Sequence, residues 1–204
     1  YGSIGKNREE NWKVCRECNI GEFPMIIMIG GAPCTGKSTL MRSILQELSG
    51  DEYALIEPMK LFPCQIHGDI LVIGYYPEGE TFGGTDKISH GAIPHFRKFI
   101  EQESPKWLHI VVEGDRFFRL KDVEWLIEKY DDAQVYVLEV TREVEEQRHK
   151  DRGDTQKEVW LKGRRSQIGN ILTNMFIRDR IKVRQNNSEE AGESLKQEIL
   201  KCLN

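Results

Sequence analysis

Gly31-Ala32-Pro33-Cys34-Thr35-Gly36-Lys37-Ser38 follows the apolar run Met25-Ile26-Ile27-Met28-Ile29 and precedes a helical pattern over residues 37–48. The run is short, apolar and closed by glycines, which predicts a buried strand entering a tight turn. Gly-x-x-x-x-Gly-Lys-Ser in that context reads as a P-loop. Triphosphate oxygens carry dense negative charge, and successive backbone N–H groups of a glycine-bearing turn can all point at them. The following helix adds the positive end of its dipole. Lys37 is expected to reach the β- and γ-phosphates, and the Ser38 hydroxyl to ligate Mg²⁺. Residues 31–38 together with Thr39 form the expected ATP-binding set. Cys34 inside the loop reads either as a reactive thiol near the dipole or as a small residue that fits.

Further along the chain, strands are expected at residues 53–56, 69–76, 107–112, 134–140 and 181–184. Helices are expected at 87–102, 120–130, 142–150, 157–176 and 188–203, with Pro94 kinking the first or starting a new helix. Residues 56–69, carrying Pro58 and Pro63, read as a connection. Strands alternating with helices predict an α/β fold: a three-layer αβα sandwich of the P-loop NTPase kind around a mostly parallel sheet. Ligands of such sheets bind beyond the carboxyl ends of the strands, so the loops after residues 29, 112 and 140 should meet on one edge.

Composition bounds the class. With 39% hydrophobic and 30% charged residues over 204 positions, one folded domain of 25–204 is expected, preceded by a polar extension or tag at 1–24. The longest apolar run is too short to span a bilayer, and a cytoplasmic setting is the default expectation. Five cysteines suit a secreted disulfide framework poorly; Cys15 and Cys18 have the spacing of half a zinc site without a second half. The formal net charge is −4, yet residues 141–184 hold twelve Lys/Arg against seven Asp/Glu. A local basic region on an acidic chain suits phosphate handling.

Three further segments carry candidate chemistry. Glu113-Gly114-Asp115-Arg116 ends an apolar strand, where a carboxylate can hold magnesium or its water shell; Glu113 and Asp115 are the candidates, with a helix N-cap as the alternative for Asp115. Arg116 is a candidate acceptor anchor. Arg142, Arg148, Arg152, Arg164 and Arg165 surround a break at Arg152-Gly153-Asp154, which reads as an Arg-bearing lid over about 148–165, as in small nucleotide kinases. Arg148 and Arg152 lie one helical turn apart and form the preferred pair. The bland alternative is a solvated face with pairs such as Glu145 with His149. Asn186 lies in a polar turn expected beside the adenine, while Ser188 reads equally as a plain N-cap.

The loop 74–87 is rich in glycines and acids, as binding loops are. Asp86 is the expected base that accepts the proton of an attacking hydroxyl, or a cap. Tyr75, Tyr76 and Phe82 are candidates for stacking on a base, or core aromatics.

The runs Gly-Gly-Thr-Asp-Lys-Ile-Ser (83–89), Val-Glu-Gly-Asp-Arg-Phe-Phe (112–118) and Arg-Gly-Asp-Thr-Gln with Trp160-Leu-Lys-Gly-Arg (152–164) resemble phage P-loop kinases that act on 5-hydroxymethyluracil in DNA. The resemblance covers residues 25–204. It implies ATP- and Mg²⁺-dependent phosphorylation of the 5-hydroxymethyl group, a step of DNA hypermodification, in the host cytoplasm if phage-encoded. It also implies that Gly83, Gly84, Thr85, Asp86 and Ser89 line the acceptor site. Such an enzyme must flip its base out of a duplex. The net negative charge departs from what tight DNA binding favours. Two other readings compete: a kinase for a free nucleoside, nucleoside monophosphate or other small metabolite, and an NTP-driven switch or ATPase. No membrane and no obligate protein partner is expected.

Overall fold

The computed structural model describes residues 24–49, 52–77, 80, 83–153 and 158–203. Most of the expected 1–24 extension, Cys15, Cys18, Phe82 and Asp154 lie outside the described residues.

Seven strands form one sheet: β1 (Met25–Gly31), β2 (Ala54–Met59), β3 (Phe62–His67), β4 (Ile70–Ile73), β5 (His109–Glu113), β6 (Gln134–Glu139) and β7 (Ile181–Gln185). Their spatial order is β2-β3-β4-β5-β1-β6-β7. β4, β5, β1, β6 and β7 run parallel, and β3 is antiparallel to both its neighbours. β1 is central: Ile27 pairs with Val111 on one side and Gln134 on the other. The chain reaches β5 and β6 on opposite sides of β1, so a crevice opens beyond the carboxyl end of β1, where ligands of open α/β sheets lodge.

Both faces are covered. Residues alternate along β1, with Ile26 and Met28 packing into one apolar cluster and Ile27 and Ile29 into another. That period of two, apolar on each side, is what a doubly covered parallel strand requires. Helices α1 (Lys37–Ser49) and α6 (Glu189–Leu203) cover one face through Leu40, Met41, Ile44, Leu195 and Ile199. Helices α2 (Phe96–Glu103), α3 (Leu120–Lys129) and α5 (Glu158–Thr173) cover the other through Phe99, Ile100, Val123, Leu126 and Ile171. The expected α/β class with a mostly parallel sheet between helices is therefore present. Among the described residues no helix is long and apolar enough to cross a membrane.

Two expectations need correction. The segment carrying Pro58 and Pro63 is a β2–β3 hairpin. Its ladder shifts register between Ile56 and Met59, and Pro63 lies outside the β3–β4 pairs, which begin at Gln65. Neither proline is thus asked for a ladder N–H, the condition under which a strand tolerates proline. The expected helix at 87–102 starts as two 3₁₀ turns, Thr85–Lys87 and His90–His95, with Pro94 in the second, and becomes α-helical only at Phe96. Beneath it Phe62 stacks on Phe99 at 4.3 Å and Phe96 on Phe117 at 4.5 Å, which holds this layer to the hairpin.

Candidate functional site

The turn 31–38 connects β1 to α1 at the centre of the sheet edge. Gly30 and Gly31 are set by close approach: a Cβ on Gly30 would lie 2.4 Å from the Phe118 ring, and one on Gly31 2.4 Å from the Leu138 carbonyl oxygen. Gly36 has φ +86, and a Cβ there would meet the Asn186 amide nitrogen at 2.5 Å. Within the turn, Thr35 Oγ1 donates to the Ala32 carbonyl at 2.9 Å. Lys37 Nζ donates to the carbonyls of Gly31 and Ala32, both at 2.8 Å, and lies 3.8 Å from Asp115 Oδ1. The ammonium is thereby arched back over the turn.

Two strand ends face it. Glu113, the last residue of β5, is 2% exposed. Its Oε2 accepts from Tyr76 Oη at 2.7 Å, and its Oε1 lies 3.5 Å from Ser38 Oγ. Burial pushes its pKa up to about 7, against the pull of Lys37 and the Tyr76 hydrogen bond. Asp86 reaches the same place from the Thr85–Lys87 turn, and its backbone carbonyl accepts from Arg116 at 3.3 Å. Burial, and then the charge of Asp115, hold its pKa above the usual carboxylate range. Helix α4 (Arg142–Asp151) runs alongside. Arg148 donates to the carbonyls of Cys34 at 3.3 Å and Asn186 at 2.9 Å, and the Asn186 amide donates to the Thr35 carbonyl at 2.8 Å.

Lys37, Ser38, Asp86, Glu113, Asp115, Arg148 and Asn186 line one cleft of about 1050 Å³, while Gly31, Ala32, Thr35 and Tyr76 lie outside its lining. Pro33, Cys34, Gly36, Lys37, Ser38 and Thr39 border it, as do Asp86, Glu113, Asp115, Arg116, Arg148, Arg152, Arg164 and Asn186. The loops after β1, β5 and β6 thus meet as the strand order requires.

Other expected residues are placed differently. Gly84 and Thr85 pack against the β5 end: Thr85 Oγ1 donates to the Glu113 carbonyl at 2.8 Å, and a Cβ on Gly84 would lie 2.7 Å from Glu113 Oε2. A Cβ on Gly83 would lie 2.7 Å from the Tyr76 ring. Ser89 caps the His90–His95 turn by accepting from the Gly91 N–H at 3.2 Å. Tyr76 is buried in the core and bound to Glu113, which selects the core-aromatic alternative over the stacking one. Arg142 and Arg165 turn away to pair with Glu146 and with Glu145 and Glu158. Asp115 is not a helix cap, since α3 is preceded by Arg119; Ser188 is one, accepting from the Ala191 N–H at 3.2 Å.

The sequence reading missed Arg42, Arg119 and His90, which also border the cleft. Arg42 lies on the exposed side of α1 beyond the motif, and nothing in its neighbours announces a partner 38 residues away at the Glu80 carbonyl. Among the described residues no group of three or more His, Cys, Asp or Glu side chains can hold a metal by itself. No family model matches the chain, and no curated protein matches it.

Proposed function

We propose that the protein is an ATP-dependent phosphotransferase that moves the γ-phosphoryl group onto a hydroxyl. The observation that carries this reading is the convergence, in one cleft, of a strand–turn–helix anion seat ending in Lys37 with Asp86 and Glu113. A seat of backbone amides and one lysine suits a polyphosphate. Opposite it a carboxylate of raised pKa suits an acid–base role.

In this reading residues 31–39 hold the triphosphate, and Lys37 leaves the loop carbonyls for the β/γ oxygens. Asp86 takes the proton of the acceptor hydroxyl as its oxygen forms the new bond to the γ-phosphorus and the β–γ bridging bond breaks. Arg148 and Arg152 close over the turn as an Arg-bearing lid and offset the charge that spreads over the transferring group. Asn186 sits against Gly36, where a purine would follow the phosphates, and Arg116 anchors the acceptor. Mg²⁺ fits the donor chemistry: the Ser38 hydroxyl and Glu113 carboxylate are hard oxygen donors 3.5 Å apart, with Asp115 nearby. A site of so few protein ligands is usual for an ion that keeps waters and phosphate oxygens. When bound, Mg²⁺ would neutralise phosphate charge.

For the acceptor, the resemblance in residues 83–89, 112–118 and 152–164 favours 5-hydroxymethyluracil in DNA. Arg116, Arg119 and Arg164 along the cleft suit an acceptor that carries phosphates of its own. The test is transfer of label from γ-labelled ATP, offered separately with hydroxymethyluracil DNA, unmodified DNA, and free nucleosides and monophosphates. Label in the modified DNA alone is expected. Label in free nucleotides alone would replace the acceptor, and hydrolysis without transfer would overturn the phosphotransferase reading.

A further inference from the structure

We propose that Cys34 is a covalent modification site for small anionic disulfides of the glutathione disulfide class, and that the adduct closes the phosphate seat. The closing rests on the function proposed above; the modification does not.

Cys34 borders the cleft and is partly exposed. Its Sγ lies 3.4 Å from His149 Nδ1, across 115 residues of sequence, and 3.7 Å from an Arg152 guanidinium nitrogen. Behind the imidazole, Glu145 Oε1 stands 3.8 Å from His149 Nε2 and is itself bound to Arg165 at 3.0 Å. A nucleophile with a base within reach of its proton is a pair that can make a thiolate, and Glu145 adds a carboxylate behind the base at ion-pair distance. Arg152 faces the sulfur, and Arg148 holds the Cys34 carbonyl, so the thiol stays turned toward the helix that carries the base.

The other described thiols lack this setting. Cys64 is 0% exposed. Cys202 packs against the Tyr136 hydroxyl and the Glu198 carbonyl, with Lys182 on the same tyrosine. The reagent class follows from charge. Eight Lys and Arg side chains border the cleft that holds Cys34 against five carboxylates (Asp86, Glu113, Asp115, Glu189 and Glu193), and Arg148 and Arg152 touch Cys34 itself, so a disulfide carrying carboxylates is favoured there over a cationic one.

The step is an exchange. The Cys34 S–H proton passes to His149 Nδ1, and the sulfur attacks one sulfur of the reagent. A new S–S bond forms as the old one breaks, and the departing thiolate takes the proton from His149. The protein gains a mixed disulfide and one reagent thiol is released.

The test exposes the whole chain to glutathione disulfide and follows each of its cysteines by peptide mass mapping. Cys34 should react at least about tenfold faster than Cys64 or Cys202. It should react more slowly with cystamine, a cationic disulfide, than with glutathione disulfide. His149→Ala should slow the reaction of Cys34 with glutathione disulfide at about pH 7 and leave that of Cys202 unchanged, since the base next to the sulfur is gone. His149→Gln replaces that variant if it melts below the parent, and the cystamine comparison needs no variant. Equal rates at Cys34 and Cys202, or equal rates with the two reagents, would overturn the site. ATP with Mg²⁺ should protect Cys34; rapid modification in their presence would overturn the closing of the seat while leaving the site standing.

Discussion

The Tyr76 hydroxyl donates to Glu113 Oε2 at 2.7 Å; both side chains are buried, and Glu113 borders the cleft. Gly84 crowds both groups, and Gly74 packs against Gly84 with no room for a Cβ. Three chain segments, carrying Ser38, Tyr76 and Gly84, therefore close on the Glu113 carboxylate. The burial that raises its pKa also fixes its second oxygen toward Ser38.

Tyr76→Phe removes the donor and leaves a buried carboxylate oxygen unpaired. A loss of about 1–3 kcal/mol in unfolding free energy is expected, the usual cost of such a group. Urea unfolding of the two proteins at one pH measures it.

Gly84→Ala should cost more than about 1 kcal/mol, since Gly84 has φ +61 and a Cβ would lie 2.6 Å from the Tyr76 hydroxyl. Gly68 has φ +58 with nothing near its Cβ position, so Gly68→Ala pays only the backbone strain. Comparing the two variants by thermal melting separates crowding from conformation.

Asp86→Asn should lower turnover strongly with little change in ATP affinity, and should also stabilise the fold at neutral pH. Burial and the charge of Asp115 raise the folded-state pKa of Asp86. A raised carboxylate contributes stability in acid and loses it as pH rises from the unfolded pKa through the folded one. The neutral amide escapes that loss. Melting at about pH 7, read beside labelled-phosphate turnover, checks both halves. Unchanged turnover would remove Asp86 from the mechanism.

His67 and His109 predict the acid limb of stability. Burial lowers both pKa values from 6.5, and their Nε2 and Nδ1 atoms respectively are buried without hydrogen-bond partners. A folded-state pKa below the unfolded one gives stability that is present above about pH 6.5 and is lost as pH falls further. Glu113 and Asp86, whose pKa values are raised, gain stability over the same range, so the histidine contribution is read as a difference between two proteins. Between neutrality and mild acid His67→Gln should lose less melting temperature, or gain more, than the parent, since the imidazole charge is what the site rejects.

Legibility in the sequence followed range. Lys37, Ser38 and Glu113 were readable because a contiguous motif or a strand end fixes their place relative to the backbone. The period of two along β1 and the helical spacing in α1 and α6 report burial directly, so the layers were readable too. The Tyr76–Glu113 pair spans 37 residues and the Cys34–His149 contact 115; only the strand order brings them together. The β2–β3 hairpin was hidden by Pro58 and Pro63, whose effect depends on where the ladder breaks. Gly83 and Gly84 read as a binding loop because glycine density looks the same whether the backbone approaches a ligand or a buried side chain. Their partners here are Tyr76 and Glu113.

In the proposed function the turn ending in Lys37 seats a triphosphate. Calorimetric titration of the protein and of Lys37→Ala with ATP and Mg²⁺, each shown folded by melting, tests it most directly. Saturable binding by the parent protein and at least about tenfold weaker binding by the variant are expected, as loss of a charge-assisted contact implies. No binding by the parent, or equal affinities for the two proteins, would contradict it.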